Sequence, residues 1–225
     1  MTFSIVARCS STGMLGMAVS SSSPSVAARC AHVRADVGAF ATQNFTDPTL
    51  GRRGLDLMER GANATQTIEI ISATANDREY RQLAAVGKVG APAIFTGAKC
   101  MDLTGSAVTS DAAAVGNLLA SVSIPSAMVE SFDSASGHLA YRLIRAMQAG
   151  LQAGGEIEPV RSAGLVVVHE LPWAIVDLRV DWTEGCPIGG LQDLWNIWEP
   201  RMPIYLARAL RPAEAPTTDV EAVAP

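Results

Sequence analysis

Asp177, Arg179 and Asp181 alternate with Val176, Leu178 and Val180, and on a β-strand that spacing puts all three charges on one face. Buried charge without a partner is costly. Such a strand therefore lines an open cleft or forms an exposed, ion-paired edge. In a cleft, the rigid fork of Arg179 would suit a carboxylate or a carbonyl-bearing ligand. Gln43, at the end of a run of small residues, and Asn117, after Gly116, carry amides able to donate to a carbonyl oxygen or a developing oxyanion. Both residue types also satisfy turn backbone. His32, His138 and His169 are the only imidazoles, and their spacing fits no metal signature. His169 ends an apolar strand, where a structural role is expected. Cys9, Cys30, Cys100 and Cys186 lie far apart, with no Cys-x-x-Cys pair, and read as reduced, small hydrophobes. No Gly-x-Ser-x-Gly elbow, His-Glu-x-x-His pair, phosphate loop or Gly-x-Gly-x-x-Gly occurs. Neither a cofactor nor a metal is expected.

The elements that must position these residues begin with Phe3 to Arg8 and Leu15 to Ser20, β-prone runs separated by turn residues, which predict a hairpin. Val37 to Gln43 is a third strand. Leu55 and Met58 mark a helix that stops near Gly61, and Asn63 with Gln66 forms a capping box for the next, buried through Ile68 and Ile71. Leu83 to Val86 and Ala93 to Phe95 predict a second hairpin. Ser123 and Pro125 open a helix buried through Met128, Val129 and Phe132, and Leu139, Leu143, Met147 and Leu151 repeat every four residues along another. Ala163 to His169 and Ala174 to Val180 are Val- and Ile-rich strands around Pro172. A terminal helix from Leu191 to Leu210 must bend or restart at Pro200 and Pro203. This order does not alternate strand with helix as a doubly wound sheet would. It predicts an α+β fold with two antiparallel sheets between layers of helices.

The bulk properties agree. The 225 residues are 48% hydrophobic and 17% charged, enough apolar surface for one sizeable core, expected over residues 1–211 with a tail over 212–225. Net charge is −5, and two lysines stand against fifteen arginines, so there is no basic stripe for nucleic acid. No apolar run reaches the roughly 18 residues needed to span a bilayer, and Met1 to Ser11 has no charged region ahead of an apolar core. A cytoplasmic protein without a membrane partner is expected, which makes the Asn-x-Thr sequons at Asn44 and Asn63 chance matches. Trp195, Ile197, Trp198, Met202, Ile204, Tyr205 and Leu206 crowd more apolar surface into the terminal segment than one helix face can bury, which predicts self-association, as a dimer.

Thr2 to Arg8, then Ala41, Thr42 and Gln43, then Arg53, Gly54, Leu55 and Asp56, and finally Asp177 to Asp181 following Ser162 and Ala163, together resemble the signature of the family called domain of unknown function 1028. The resemblance spans roughly residues 1 to 182. That family is grouped with the N-terminal nucleophile (Ntn) hydrolase-like folds, which implies a four-layer αββα sandwich. In Ntn hydrolases the first residue of the mature chain is Thr, Ser or Cys, and its α-amine, titrating near roughly 7.7 to 8.0, takes the proton from its own side chain. The resemblance thus implies Thr2 as nucleophile once Met1 is removed, with Ser4 or Ser21 as substitutes if Thr2 is not free. The bland reading makes Thr2 the first residue of an edge strand. Where the family pattern often has a lysine after the second strand, this chain reads Ser20, Ser21, Ser22 and Ser23. Arg29 or Arg34 could replace that charge but neither could act as a base. Two functions stay open: hydrolysis of an amide, peptide or carbamoyl-type C–N bond in an unknown small substrate, or silent binding of a small polar metabolite or a protein partner by the same fold, with Gln43, Asn117, Asp177, Arg179 and Asp181 as binding residues.

Overall fold

The computed structural model describes residues 1–217. Strands β1 (Thr2–Arg8) and β2 (Leu15–Ser21) form the opening hairpin. A single turn, α1 (Ala27–Cys30), leads to β3 (Ala31–Arg34) and β4 (Gly38–Asn44), followed by α2 (Pro48–Glu59) and α3 (Ala64–Thr74). The hairpin of β5 (Arg81–Gly87) and β6 (Ala93–Thr96) comes next, then that of β7 (Gly105–Val108) and β8 (Ala112–Asn117). Helices α4 (Ile124–Ser134) and α5 (Leu139–Gln152) precede β9 (Ser162–Val168), β10 (Ala174–Val180), α6 (Pro187–Trp198) and α7 (Met202–Leu210). Strands β3, β7 and β8 are additions to the expected order, and the expected terminal helix is two helices, broken around Pro200. The capping box at Asn63 and Gln66 is present.

The strands form a six-stranded sheet, β10-β9-β2-β1-β8-β7, and a four-stranded sheet, β3-β4-β5-β6, all pairs antiparallel. Alternation along each strand then builds the layers. Phe3, Ile5, Ala18 and Leu165 face outward onto Met128, Leu143, Met147 and Trp195. Val6, Met17, Val19 and Val115 face inward onto Ala39, Ala41, Ala84 and Val86 of the second sheet. Phe40 and Leu83 pack outward against Leu50, Leu55, Ile68 and Ile71. This is an αββα sandwich. β1 is central in its sheet, so the edge-strand reading of Thr2 is corrected: β2 lies on one side of it and β8 on the other.

The small inner residues let the sheets approach closely. Gly164 of β9 lies opposite Val19, and a Cβ added to it would stand 2.2 Å from the Cβ of Ala27 on α1. At the far end of β1 the Arg8 guanidinium bonds Asp111 at 2.7 Å through Nε and donates to the carbonyls of Ser110, Gly87 and Gly90. One side chain thereby ties both sheets together.

The three histidines serve structure. His32 lies against Gly51, His138 caps α5 by accepting from the Ala140 N–H at 3.1 Å and stacks on Trp195, and His169 meets the Thr12 carbonyl at 2.8 Å. Among the described residues, no helix is long and apolar enough to cross a membrane. Of the expected tail, residues 218–225 lie outside the described residues, while the Pro216 carbonyl accepts from Arg208 Nε at 3.0 Å.

Gly164→Ala should destabilise the fold by about 1–3 kcal/mol, the usual cost of overpacking, measured by equilibrium urea unfolding. Ala27→Gly in the same chain should recover part of the loss.

Candidate active site

The start of β1 is lined with polar side chains that the sandwich buries. Thr2 pairs with Asn117 of β8, and Ser21, at the end of β2, lies alongside. Thr2, Ser4 and Ser21 all point toward the second sheet, where Gln43 of β4 and Gln82 of β5 are themselves a cross-strand pair. Thr2 is 5% exposed, and Ser4, Ser21, Gln43, Gln82 and Asn117 are fully buried. A buried polar group without a partner is penalised, so these residues bond to one another.

The resulting network crosses between the sheets. Ser4 Oγ donates to Gln43 Oε1 at 2.6 Å. Gln43 Nε2 donates to Gln82 Oε1 at 2.8 Å and to the carbonyls of Thr2 at 3.3 Å and Val115 at 3.4 Å. Gln82 Nε2 donates to the Gly116 carbonyl at 2.9 Å, and Asn117 Nδ2 donates to Gln82 Oε1 at 3.1 Å. The amides of Gln43 and Asn117 are thus engaged in holding β1 and β8 against the second sheet. In this arrangement they position backbone. The Ser4 hydroxyl is likewise occupied.

Thr2 and Ser21 differ from these. Thr2 Oγ1 lies 3.4 Å from Ser21 Oγ, and both hydroxyls donate to the carbonyl oxygen of Met1. Ser23 Oγ lies 2.7 Å from Ser21 Oγ and accepts from Arg29. Arg29 therefore supplies positive charge on the Ser23 side of Ser21, where the resemblance leads one to look for lysine. Arg34 is elsewhere, paired with Asp56 and Glu59 at 2.9 Å each. Lys88 and Lys99 pair with Asp36 and Glu79.

Glu156 was not among the residues singled out from the sequence. It forms a bridge with Leu119, just past β8, and its Oε2 accepts from the Ser22 N–H at 3.1 Å, just past β2. Glu156 therefore joins the ends of β8 and β2, on either side of β1, through its backbone and its carboxyl respectively. It is 6% exposed, and Oε1 has no hydrogen-bond partner among the described residues, nor has Asn117 Oδ1. Burial pushes the Glu156 carboxyl up from 4.5 to about 7, against the pull of the chain's α-amino group and the Ser22 N–H.

Asp177, Arg179 and Asp181 do not join this group. They occupy the inner face of the sheet, but on the edge strand β10, beyond the cover of the second sheet. Arg179 pairs with Asp181 at 3.2 Å, with side chains 38% and 53% exposed. Strands β9 and β2 separate β10 from β1, a distance of about 14 Å at the usual strand spacing. The cleft alternative is corrected in favour of the exposed, ion-paired edge. A cavity of about 280 Å³, lined by Phe45, Asp77, Tyr80 and Arg81, opens just beyond the Gln43 and Gln82 pair, where Asn44 pairs with Arg81.

Residues 2–191 match the model of a family described as a family of unknown function (DUF1028). The chain belongs to DUF1028. The crystal structure of a DUF1028 protein from Silicibacter pomeroyi is similar to it, with 30% identity and a TM-score of 0.81 over 87% of this chain and 88% of that one. Anbu (ancestral β-subunit) from Yersinia bercovieri aligns at 11% identity with a TM-score of 0.40, over 91% of this chain and 96% of its own. No curated protein matches the chain.

The raised Glu156 carboxyl makes stability depend on pH. Between 4.5 and about 7 the folded chain holds a proton that the unfolded chain has released, so stability falls as pH rises through this window. Glu156→Gln should remove a decline on the order of 2–3 kcal/mol between pH 4.5 and 7, measured as the difference between urea unfolding curves of the two proteins across that range.

Proposed function

We propose that this DUF1028 protein is an Ntn-type hydrolase of an amide, peptide or carbamoyl-type C–N bond, with Thr2 as its nucleophile after Met1 has been removed. The observation that carries the proposal is the Met1 carbonyl oxygen, on which the Thr2 and Ser21 hydroxyls converge. A carbonyl held there lies beside the Thr2 hydroxyl and accepts from a second buried donor. That sets a hydroxyl nucleophile next to a polarised carbonyl and leaves Ser21 to donate to the oxyanion that attack would create.

In the mature chain the Thr2 α-amine takes the proton of Oγ1, as neither Arg29 nor any buried imidazole of this chain stands ready to do so. Ser21 donates to the oxyanion and is itself oriented by Ser23, while Arg29 fixes Ser23. Gln43, Gln82, Asn117 and Ser4 act as positioning residues that keep the first residues of β1 from shifting. A 1 Å misplacement of a nucleophile is costly, so a hydrogen-bonded seat is worth building.

The rival reading, a catalytically silent member that binds a polar metabolite or a protein partner, is favoured by the engagement of both lysines in ion pairs and by the serines at positions 20 to 23. Intact mass of untagged protein, followed by a β-lactone probe, separates the two. Loss of one methionine and a single lactone adduct on Thr2 are expected. Thr2→Ala should abolish the adduct, and Ser21→Ala should slow its formation roughly a hundredfold, the usual cost of one oxyanion donor. Retained methionine, or an adduct that survives Thr2→Ala, would move the assignment to the rival.

Self-association is proposed on what the terminal helices leave outside. Trp195 and Ile204 are buried, and Trp198 donates to the Ile175 carbonyl at 3.0 Å, but Ile197, Tyr205 and Leu210 stay exposed. Light scattering at micromolar concentration should give a dimer mass, and Ile197→Glu should shift it to monomer.

A further inference from the structure

We propose that the acyl group taken by this site carries a free α-ammonium, so that the substrate class is aminoacyl amides, the first bond of an N-terminally unblocked peptide included, with Glu156 as the ammonium's partner. The inference rests on the reading of Thr2 as nucleophile.

Met1 is itself an aminoacyl group, joined to the nitrogen of Thr2 and seated with its carbonyl oxygen on the two hydroxyls. A substrate acyl group joined to Thr2 Oγ1 would be the N-to-O isomer of that arrangement. On this proposal its carbonyl would stay within reach of Ser21, with the α-carbon substituents on the side from which Met1 enters β1.

The Glu156 carboxyl lies near enough to this end of β1 for the chain's α-amino group to act on it. Glu156 is fixed at two points, through its bridge to Leu119 and through Ser22 N–H to Oε2, which hold it across the end of β2 and β8 on either side of β1. Its second oxygen is buried and bonds to none of the described residues. Asn117 Oδ1 is also buried without a partner among the described residues, but Asn117 stands opposite Thr2, while Glu156 bridges Leu119, two residues beyond it. A cation beside this buried carboxyl favours its ionised, acceptor-only form, and a group with several N–H donors and a positive charge then satisfies it. An acylated substituent would offer one neutral N–H in place of a charged group with three, and an anionic one would repel the carboxylate.

The chemistry balances without a co-reactant other than water. The bond from Thr2 Oγ1 to the acyl carbon forms as the hydroxyl proton passes to the Thr2 α-amine. The C–N bond then breaks, and that proton goes to the departing amine. Water, deprotonated by the same α-amine, cleaves the ester, returning the proton to Oγ1 and releasing a free amino acid.

The test compares L-methioninamide with N-acetyl-L-methioninamide by calorimetry on protein shown by mass to begin at Thr2. The free amine should bind at least tenfold more tightly, and Glu156→Gln should erase the preference while the β-lactone still labels Thr2. Equal binding, or no binding of either probe, with labelling intact would overturn the substrate class and leave the nucleophile reading standing. A preference that depends on Glu156 without any labelling of Thr2 would support the ammonium site and sink the nucleophile reading instead. Because the decisive comparison is between two probes on the unmutated chain, a Glu156→Gln variant that failed to fold would not rescue the idea.

Discussion

The amide of Gln43 is fully buried, shut off from bulk solvent, and must be satisfied by the protein around it; the rest of the arrangement depends on that. Its nitrogen reaches the Thr2 and Val115 carbonyls in one sheet and Gln82 in its own. A buried amide left unpaired costs about 1–3 kcal/mol, more than the net gain from a typical hydrogen bond. The sheets therefore cannot slide past one another without breaking the network. Gln82, bonded to Gly116 and to Asn117, extends the same constraint to the neighbouring strand. β1 is held at its other end by Arg8, which bonds to loops of both sheets. A strand fixed at both ends presents its first residue in one place only.

Against that fixed frame, the two hydroxyls that meet at the Met1 carbonyl stand out because they are not needed to join the sheets. Thr2 and Ser21 come from adjacent strands of a single sheet, and their partner is the main chain just ahead of β1. Glu156 is the one buried acid of the group, and it arrives from the loop after α5 rather than from a strand. The polar end of the sandwich is thus divided in two. Amides supply rigidity, while hydroxyls and a carboxyl with capacity to spare face the chain's beginning.

Much of the fold was legible in local pattern. The four-residue repeat from Leu139 to Leu151 and the Asn63 capping box fix α5 and α3, and the Val- and Ile-rich runs around Pro172 fix β9 and β10. β8 was not legible, because Ala112, Ala113 and Ala114 have no β-branched signal; Ala113 faces the second sheet, while Ala112 and Ala114 face the helices. Asn117 was visible as an amide but not as the register partner of Thr2. Alternation correctly placed Asp177, Arg179 and Asp181 on one face, yet only the strand order decides that the face is uncovered there. Glu156 follows two glycines in a loop, and its importance comes from Leu119 and Ser22, which are distant in sequence. No local window contains that information.

The charged face of β10 has a consequence for how the larger sheet ends. An edge strand offers a row of unpaired backbone groups to any other extended chain, and charges turned toward the sheet's inner side are a means of making such pairing unfavourable. A strand added beside β10 would have to set its own inner face against Asp177, Arg179 and Asp181, and one of hydrophobic character would find no apolar surface to share. The same alternation that gives this strand no part in the candidate site keeps the sheet six strands wide. It disfavours the use of this edge as a template for another strand.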